Sequence, residues 1–365
     1  MKIVVLDGYT VSHGDISWEG WTNSVETAYN ERITSVQRSC KREQTNSFDL
    51  PSAAEPRRRQ LTYYERTPDE LVLERLRDAE ICITNKVRMT RKTISQLPRL
   101  RYIGVLATGY DVVDVEAASE RGIVVTNVPA YSTMSVAQMV FAHLLNVSNR
   151  VAMHADSVKR GGWETAEDFC YSLCTLQELD GLSFGIVGLG NIGKAVSRVA
   201  QALGMRVLAY SAKDESQLRE MNIEKAASVD DLFQRADVIS LHCPLTASTH
   251  HLVNAERLKL VKSTAILINT ARGGLVDGEA LAQALNEDRL RAACLDVLEQ
   301  EPPQHDNPLI RAKNCHITPH IAWATQEARR RLMGVALENV RAFLRGERQN
   351  CVNKDKLCAV PSALF

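Results

Sequence analysis

The sequence predicts an α/β protein built from two doubly wound parallel sheets. Short apolar segments alternate with amphipathic helical segments twice along the chain, first from Lys2 to about Val128 and again from Leu182 to about Pro319. Such alternation is typical of parallel strands whose connecting helices cover both faces of a sheet. The 365 residues are also enough for two domains of ordinary size, each with its own core.

The composition excludes several classes of partner. Lysines plus arginines equal aspartates plus glutamates, 44 of each, so no global field attracts nucleic acid or an anionic membrane. The nine cysteines are scattered without a C-x-x-C pair, and the spacing of Cys170 and Cys174 is interpreted as incidental. Isolated thiols suit a reducing compartment. With no signal peptide before the first strand and no apolar run of transmembrane length, we expect a soluble, cytoplasmic protein without a metal site.

The first part of the chain carries the first sheet. Its apolar segments predict strands at KIVVLDG, LTYYERT, ICITN, RYIGVLATG and IVVTNVP, with helices at PDELVLERLRDA and RKTISQL. One stretch breaks the alternation, because the chain from Trp21 to about Gln60 is polar and aperiodic where only a helix is needed. A loop of that length inside a domain is unusual. We predict a solvated insertion without a role in chemistry, although its basic clusters, Arg38 to Arg42 and Arg57 to Arg59, are able to dock an acidic partner.

A long helix and a second set of strands follow. The helix begins near Ser132 and places Val136, Val140, His143 and Val147 on one face, as an amphipathic helix does. Further helices are predicted to begin at polar caps such as Ser228. A final helix is predicted from about Thr325 to Leu344. Residues 354–365 are predicted to fray. The predicted strands of this second set are FGIVG, RVLAY, DVISLHC, AILINT, AACLDV and CHITP.

A glycine-rich turn follows the first strand of the second set. Gly188, Gly190 and Gly193 form the pattern G-x-G-x-x-G between an apolar strand and a helix, which is the context that makes the pattern informative. The first glycine permits the tight turn, the second lets a pyrophosphate approach the backbone, and the third lets the helix pack on the strand. The turn therefore predicts a dinucleotide site at the helix N-terminus.

The acidic residue that completes this fingerprint is missing. The next strand ends at Tyr210 and is followed by Ser211, where an aspartate that holds the adenosine ribose is expected. Lys213 is able to pair with a 2′-phosphate, and Asp214 reaches a ribose hydroxyl if the loop curls back. The sequence therefore leaves NAD against NADP open.

An arginine, a glutamate and a histidine follow the last three strands. Arg272 comes after the buried run AILIN, in front of two glycines and of Asp277, a plausible helix N-cap. Because an arginine stays charged, it meets either water, a nearby acid or an anionic ligand. Glu301 and His320 follow the next two strands, and the carboxyl ends of parallel strands meet at one edge of the sheet, where ligands bind. A surface charge and a structural histidine are the alternative interpretations.

The chain resembles the D-isomer-specific 2-hydroxyacid dehydrogenases over nearly all its length, apart from Trp21 to Gln60 and the tail after Asn353. The resemblance is strongest to the glycerate dehydrogenase, or hydroxypyruvate reductase, branch, in which a tryptophan such as Trp323 follows the catalytic histidine. Gln138 departs from the pattern, because the family has a glutamate there. The motifs that carry the resemblance are VAQMVFAHLL, GIVGLGNIGKAVSR, HCPLT, INTARGGLVD, LDVLEQEPP and ITPHIAWAT.

This resemblance implies an oxidoreductase that moves a hydride between NAD, or NADP, and a small 2-keto or 2-hydroxy acid. Hydroxypyruvate or glyoxylate is the expected substrate, with D-glycerate or glycolate as the product. Arg272 would grip the substrate carboxylate bidentately. His320 would donate a proton to the carbonyl oxygen, and Glu301 would fix its tautomer.

The resemblance also implies a Rossmann cofactor domain over 129–321 and a flavodoxin-like substrate domain over 1–128 plus 322–353, with a cleft between them. A homodimer built around the helix from Ser132 to Asn149 is expected. The substrate contacts carried over are Leu106, Ala107, Thr108, Gly109, Arg272, His320 and Trp323. The cofactor contacts carried over are Thr108, Gly188, Gly190, Asn191, Ile192, Gly193, Ser211, His242, Cys243, Pro244, Thr249, Thr270, Ala271, Arg272, Asp296 and His320.

Three related activities remain as alternatives. A formate dehydrogenase pairs its histidine with glutamine, so Glu301 argues against it. A short-chain phosphoglycerate dehydrogenase fits the length of the chain. A dinucleotide-sensing corepressor of the C-terminal-binding type has the same fold and the same three residues, and only measured turnover of a keto acid separates it from an enzyme.

Overall fold

The computed structural model of this protein describes residues 1–12, 14–18, 20–21, 23, 25 and 60–357. The chain divides into two compact units, one formed by Met1–Tyr131 with Gln326–Phe365 and the other by Ser132–Thr325. The first unit is therefore discontinuous in sequence. Among the residues that the structure describes, no helix combines the length and the apolar character needed to cross a bilayer.

The described part of the chain contains twelve strands in two sheets. In chain order they are β1 (Lys2–Val5), β2 (Gln60–Tyr63), β3 (Ile81–Thr84), β4 (Tyr102–Val105), β5 (Val124–Thr126), β6 (Ser183–Val187), β7 (Arg206–Tyr210), β8 (Glu224–Lys225), β9 (Val238–Leu241), β10 (Ile266–Asn269), β11 (Ala292–Leu295) and β12 (Cys315–Ile317). The order is β2-β1-β3-β4-β5 in the five-stranded sheet of the first unit and β12-β11-β10-β9-β6-β7-β8 in the seven-stranded sheet of the second.

Both sheets are parallel throughout and doubly wound. The first has the flavodoxin-like strand order, and the second has the Rossmann order with one strand added beyond the sixth. The predicted fold class is confirmed. The short strand β8 has no apolar residue, which explains why hydrophobic patterning did not predict it.

Eleven α-helices lie within the described ranges. In chain order they are α1 (Val72–Leu76), α2 (Arg91–Ser95), α3 (Val115–Glu120), α4 (Thr133–Asn149), α5 (Val151–Lys159), α6 (Asn191–Ala202), α7 (Glu215–Arg219), α8 (Val229–Arg235), α9 (Ala255–Leu258), α10 (Gly278–Asn286) and α11 (Gln326–Arg345). Two predicted caps are confirmed, because Ser228 accepts from the Asp231 amide at 3.0 Å and Asp277 accepts from the Ala280 amide at 3.1 Å.

The C-terminal helix α11 belongs to the first unit, although most of that unit lies far from it in sequence. The Phe343 ring lies 4.8 Å from the Tyr102 ring, and the buried Arg329 forms an ion pair with Asp15 at 2.6 Å. Asn339 donates to the Asn127 carbonyl at 2.9 Å. An aromatic contact and satisfied buried polar groups therefore hold the helix against the sheet of this unit.

The ends of two predicted segments differ from the structure. Trp21 and Val25 are buried, with 4% and 3% exposure, so a solvated insertion cannot begin at Trp21; residues 26–59 of that prediction lie outside the described residues. The tail predicted to fray from residue 354 instead forms a 3₁₀ turn at Lys354–Lys356, followed by the buried Leu357. Residues 358–365 also lie outside the described part.

Candidate active site

The candidate site lies at the carboxyl edge of β10, β11 and β12. These three strands are neighbours, and Asn269, Leu295 and Ile317 lie in register across them. The loops that follow the three strands carry Arg272, Glu301 and His320. The parallel register therefore brings residues that are distant in sequence to one edge of the second unit.

Glu301 and His320 form a hydrogen-bonded pair. The His320 Nδ1 atom lies 2.6 Å from Glu301 Oε2, while Glu301 Oε1 accepts from the Leu298 amide at 2.9 Å. Both side chains are partly exposed, at 33% for His320 and 35% for Glu301. The backbone amide fixes the carboxylate, and the carboxylate fixes the imidazole, so Nε2 is the ring nitrogen that is left for proton exchange.

The backbone of His320 is left-handed. Its φ angle is +55°, a conformation that costs a non-glycine residue free energy and persists only where surrounding contacts impose it. The His320 amide donates to the Asp296 carbonyl at 2.8 Å and to the Thr318 carbonyl at 2.9 Å. Trp323, predicted as a substrate contact, donates its indole N–H to the His320 carbonyl at 2.9 Å. These contacts hold the histidine loop in one conformation.

Asp296 anchors the same loop. It is buried, with 1% exposure, and its carboxylate accepts from the Thr318 hydroxyl at 2.6 Å and from the amides of Ile321 and Ala322 at 2.9 and 2.8 Å. The structure shows that the Asp296 carboxylate orders this loop, and its predicted contact with the cofactor stays a prediction. His143 extends the network, because its Nε2 lies 3.2 Å from Thr318 Oγ1.

The sequence did not predict Thr318 and His143 as part of this support. Thr318 follows strand β12, where the sequence analysis considered only His320. His143 lies on the predicted buried face of α4. A histidine on a buried helix face needs a hydrogen-bond partner. This requirement is the one feature of the sequence from which a hydrogen-bonding role of His143 could have been predicted.

The loop that carries Arg272 is held by a buried asparagine. Asn269, with 0% exposure, donates through Nδ2 to the Arg272 carbonyl at 2.8 Å and accepts through Oδ1 from the Ala271 amide at 3.0 Å. The Arg272 side chain is exposed, and its Nη1 donates to the Ala271 carbonyl at 2.7 Å. Among the described residues, no carboxylate lies within 4.0 Å of this guanidinium, so the salt-bridge interpretation of Arg272 has no support.

Gly273 brings this loop against the loop that leads to Glu301. A Cβ atom at Gly273 would lie 1.9 Å from the carbonyl carbon of Leu298 and 2.3 Å from the Glu299 nitrogen. No side chain fits there without displacing backbone. The arginine and the glutamate are therefore positioned by two loops in direct backbone contact.

The glycine-rich turn has the shape that a pyrophosphate needs. Gly188 has a φ of +95°, and a Cβ at Gly193 would lie 2.4 Å from the Gly188 carbonyl oxygen. Gly190 is the N-cap of α6, with open space where a Cβ would stand. The first amides of α6, those of Asn191, Ile192 and Gly193, have no helical acceptor. The turn therefore fits the diphosphate of a dinucleotide.

The wall opposite this turn comes from β9, at the point where the strand order reverses between β6 and β9. A Cβ at Gly188 would lie 2.7 Å from the Cys243 amide nitrogen. Burial raises the pKa of the Cys243 thiol and lowers the pKa of His242 to about 4, and His242 Nε2 lies 2.9 Å from Ser240 Oγ. Both side chains are therefore uncharged at neutral pH, and their predicted contact with the dinucleotide stays a prediction.

We expect His242 to make the folded protein sensitive to acid. Burial lowers its pKa from the usual 6.5 to about 4 in the folded protein. The contribution of His242 to the free energy of unfolding is therefore fully present above pH 6.5 and is lost as the pH drops from 6.5 towards 4. At about 1.36 kcal/mol per pKa unit, the loss is about 3 kcal/mol. Burial also lowers the pKa of His143 and His316, which adds to the effect.

Denaturant unfolding at pH 7.5 and at pH 4.5 measures this loss. His242→Gln keeps a hydrogen-bonding group at the position of Nε2 and should reduce the difference between the two pH values. His305→Gln, at an exposed histidine, serves as the control and should retain the wild-type difference. Equal acid sensitivity in wild type and His242→Gln would contradict the prediction.

Other predicted cofactor contacts fall into two groups. Thr270 is buried at the end of β10, and its hydroxyl has no partner among the described residues, as a ligand contact leaves it when the ligand is absent. The Thr249 hydroxyl instead donates to the Pro244 carbonyl at 2.7 Å and accepts from the Thr246 amide at 2.8 Å. Thr249 thus shapes its own loop.

The loop after β7 carries Ser211, at the position where an aspartate was expected to hold the adenosine ribose. Ser211 Oγ accepts from the Lys213 amide at 3.2 Å. Asp214 caps α7, because its Oδ1 accepts from the Gln217 amide and the Ser216 hydroxyl, both at 2.8 Å, and these bonds lower its pKa, the Gln217 amide most. The interpretation in which Asp214 curls back to a ribose is therefore disfavoured.

The predicted substrate loop of the first unit follows β4. Leu106 is buried and its amide donates to the Thr84 carbonyl at 2.8 Å, so it is not available to a ligand. Thr108 donates its hydroxyl to the Val128 carbonyl at 3.0 Å. Within the described ranges, the amides of Ala107, Thr108 and Gly109 have no acceptor. These three amides are therefore the ones that could bind the substrate carboxylate, and this contact stays a prediction.

Comparison with known proteins decides the family. The sequence model of the D-isomer specific 2-hydroxyacid dehydrogenase NAD binding domain matches residues 141–322. The chain is 42% identical over 354 residues to a hydroxypyruvate reductase of Blautia hydrogenotrophica, covering 97% of this chain and 100% of that protein. The chain belongs to the D-isomer-specific 2-hydroxyacid dehydrogenase family. The resemblance inferred from the sequence motifs is confirmed.

Two further relatives agree with this membership. A glycerate dehydrogenase of Methylorubrum extorquens is 42% identical over 78% of this chain and 89% of its own length. The crystal structure of the TT0316 protein from Thermus thermophilus superimposes with a TM-score of 0.75 at 34% identity, covering 96% of this chain and 100% of that one. This member of the family is an NAD(P)-linked oxidoreductase that acts on CH–OH groups.

Proposed function

We propose that this dehydrogenase reduces hydroxypyruvate or glyoxylate, with D-glycerate or glycolate as the product of each reaction. The carrying observation is the bonded pair of Glu301 and His320 at the sheet edge that also presents Arg272, an arginine without a carboxylate partner among the described residues. A 2-keto acid offers a carboxylate for the arginine and an adjacent carbonyl for the histidine. The similar hydroxypyruvate reductase and glycerate dehydrogenase support hydroxypyruvate as one of these substrates.

The side chains divide the work as follows. Arg272 binds the substrate carboxylate with two parallel N–H groups and polarises the adjacent carbonyl. His320 donates the proton on Nε2 to the carbonyl oxygen, and takes it back in the oxidation direction. Glu301 holds Nδ1, which keeps the donor nitrogen oriented and stabilises the imidazolium. The nicotinamide, when bound, supplies or accepts the hydride.

A panel of 2-keto acids tests the proposal. The panel contains hydroxypyruvate, glyoxylate, pyruvate and 3-phosphohydroxypyruvate, each assayed with NADH and with NADPH. The rate is measured as the loss of absorbance of the reduced cofactor. We expect kcat of about 1–10³ s⁻¹, the ordinary enzymatic range, with hydroxypyruvate or glyoxylate. Preference for the phosphorylated acid would indicate a phosphoglycerate dehydrogenase. Dinucleotide binding without turnover of any acid would indicate a sensor and overturn the proposal.

We further propose that NAD is preferred over NADP by only a modest factor, since Ser211 carries no charge and Asp214 caps α7. Ser211→Asp should raise the preference for NADH up to about fivefold, because one exposed charge contact is worth up to about 1 kcal/mol. The ratio of kcat/KM for NADH and NADPH at one ionic strength measures the effect. Ser263→Asp, at an exposed serine before β10, is the matched control. An unchanged ratio in Ser211→Asp would place Ser211 away from the ribose.

A homodimer through the segment around α4 and α5 is also proposed. Large exposed hydrophobic side chains concentrate in residues 134–176, as interfaces require, and Phe169 is 88% exposed. We expect Phe169→Asp to lower the mass measured by light scattering to that of one chain, while Ile310→Asp, outside the segment, leaves it unchanged. Monomeric wild-type protein would contradict the proposal. The exposed residues are Met134, Leu145, Val151, Met153, Val158, Trp163, Phe169, Leu173 and Leu176.

Finally, we propose that the protein works in the cytoplasm. Seven cysteines among the described residues are free thiols, which fits a reducing compartment. Fractionation of cells followed by activity measurement tests this location.

A further inference from the structure

Two adjacent histidines and a glutamate form a cluster outside the catalytic set. His250 Nε2 lies 3.3 Å from Glu299 Oε1, and His251 Nε2 lies 3.2 Å from Oε1 and 3.3 Å from Oε2. All three side chains are partly exposed. The ligand atoms lie within 4.8 Å of one another. None of the three has a part in the proposed reaction, so the cluster needs another explanation.

The separation of each histidine nitrogen from Glu299 matches that of two donors in a metal coordination sphere. Zinc binds histidine nitrogen at about 2.0–2.1 Å and carboxylate oxygen at about 2.0–2.2 Å in tetrahedral sites. Two donors on such an ion are therefore about 3.3 Å apart, which agrees with the separation of each histidine nitrogen from Glu299. Imidazole and carboxylate are also ligand types that zinc and related divalent ions accept.

The surroundings of the cluster favour a cation. His251 and Glu299 line a cavity of about 430 Å³ that is also lined by the acidic residues Asp277, Glu279 and Asp306. The described residues that line it include no lysine or arginine. The four carboxylates create a negative potential, which concentrates divalent cations at the cavity rim.

The two loops that carry the cluster are each held by a backbone contact against a third loop, the one that follows β10. The His251 amide donates to the Gly274 carbonyl at 2.8 Å, and a Cβ at Gly273 would lie 2.3 Å from the Glu299 nitrogen. The ligands therefore come from preorganised backbone, which lowers the entropic cost of assembling a site. Sequence patterning did not indicate this site, because the histidines are 48 and 49 residues from Glu299.

We propose that His250, His251 and Glu299 bind one divalent ion of the Zn²⁺ class, with water completing the coordination. The site is separate from the proposed catalytic residues and does not depend on the proposed function. Its ion ties the loop after β9 to the loop between β11 and Glu301. The expected effect is on metal affinity and on stability rather than on the chemical step.

Cobalt substitution tests the site directly. Tag-free protein, stripped with a chelator and dialysed, is titrated with Co²⁺, whose visible absorption reports coordination by nitrogen and oxygen. We expect one ion per chain and at least about a tenfold weaker affinity in Glu299→Gln and in His251→Gln, since even changes beyond the direct ligands cost about 10- to 100-fold. Glu256→Gln removes an exposed carboxylate from α9 and should bind as wild type does.

Thermal unfolding with Zn²⁺ provides a second readout, because a ligand that binds only the folded state raises the midpoint. The midpoint of wild type and of Glu256→Gln should rise with Zn²⁺, while that of Glu299→Gln should rise less at the same Zn²⁺ concentration. Equal Co²⁺ affinity in wild type and Glu299→Gln, or no bound ion at micromolar concentration, would overturn the proposal. In that case the cluster is a set of hydrogen bonds on the protein surface.

Discussion

Replacing His320 by glutamine is expected to lower kcat by about 10²–10⁴-fold, the range that a positioned general acid contributes. Glutamine keeps a polar amide near the position of Nε2, the nitrogen left for proton exchange, but an amide cannot donate a proton to a carbonyl oxygen during hydride transfer. Steady-state rates with hydroxypyruvate or glyoxylate measure the loss. The change should appear in kcat rather than only in KM, because the proton is transferred in the transition state.

Cofactor binding separates a catalytic histidine from a structural one. NADH fluorescence titration of His320→Gln should give a Kd close to that of wild type, because the glycine-rich turn and α6 are unchanged. This control matters because the left-handed backbone at His320 belongs to the loop that Asp296 anchors. Loss of NADH binding together with activity would show that His320 is structural.

Replacing Arg272 by lysine is expected to lower kcat/KM by about 10- to 100-fold. An ammonium group keeps the charge but loses one of the two parallel hydrogen bonds to the substrate carboxylate, and a charged hydrogen bond is worth about 1.5–3 kcal/mol. The Asn269 contacts are to the backbone of residues 271 and 272, so the loop itself should persist. Initial rates over a range of keto acid concentration give the value.

Stability provides the control for this substitution. Arg272 is exposed, so Arg272→Lys should change the free energy of unfolding by no more than about 0.5 kcal/mol. Arg311→Lys, at another exposed arginine of the same unit, should leave both kcat/KM and stability unchanged. Near-normal kcat/KM in Arg272→Lys would remove the arginine from the substrate site.

The strand ends that carry the candidate site could be predicted from the sequence. Apolar runs such as AILIN are fully buried strands, and parallel pairing then brings their carboxyl ends to one edge. Arg272, Glu301 and His320 follow β10, β11 and β12, of which the first two are fully buried and the third partly buried. Patterning therefore placed the three residues at one edge of the sheet, and the family resemblance supplied their predicted roles. The glycine-rich turn was predictable for a related reason, since its steric demands depend on local backbone.

The hydrogen-bond partners of the short polar side chains could not be predicted in the same way. Asp214, Thr249 and Asp296 all satisfy backbone groups of their own or neighbouring loops in the structure. Short side chains compete between local backbone and ligand, and the choice depends on loop conformation rather than on residue type. The same limit explains why the open hydroxyl of Thr270 was visible only in three dimensions.

The contact at Gly273 has a consequence for engineering this protein. Because the turn after Arg272 presses on the backbone of Leu298 and Glu299, substitutions in the two loops should combine non-additively. A selection library that randomises only residues 298–300 will lose variants that are inactive solely because the substitution displaces Arg272. Varying residues 272–274 in the same library lets compensating pairs survive, so the two loops are best treated as one unit of mutation.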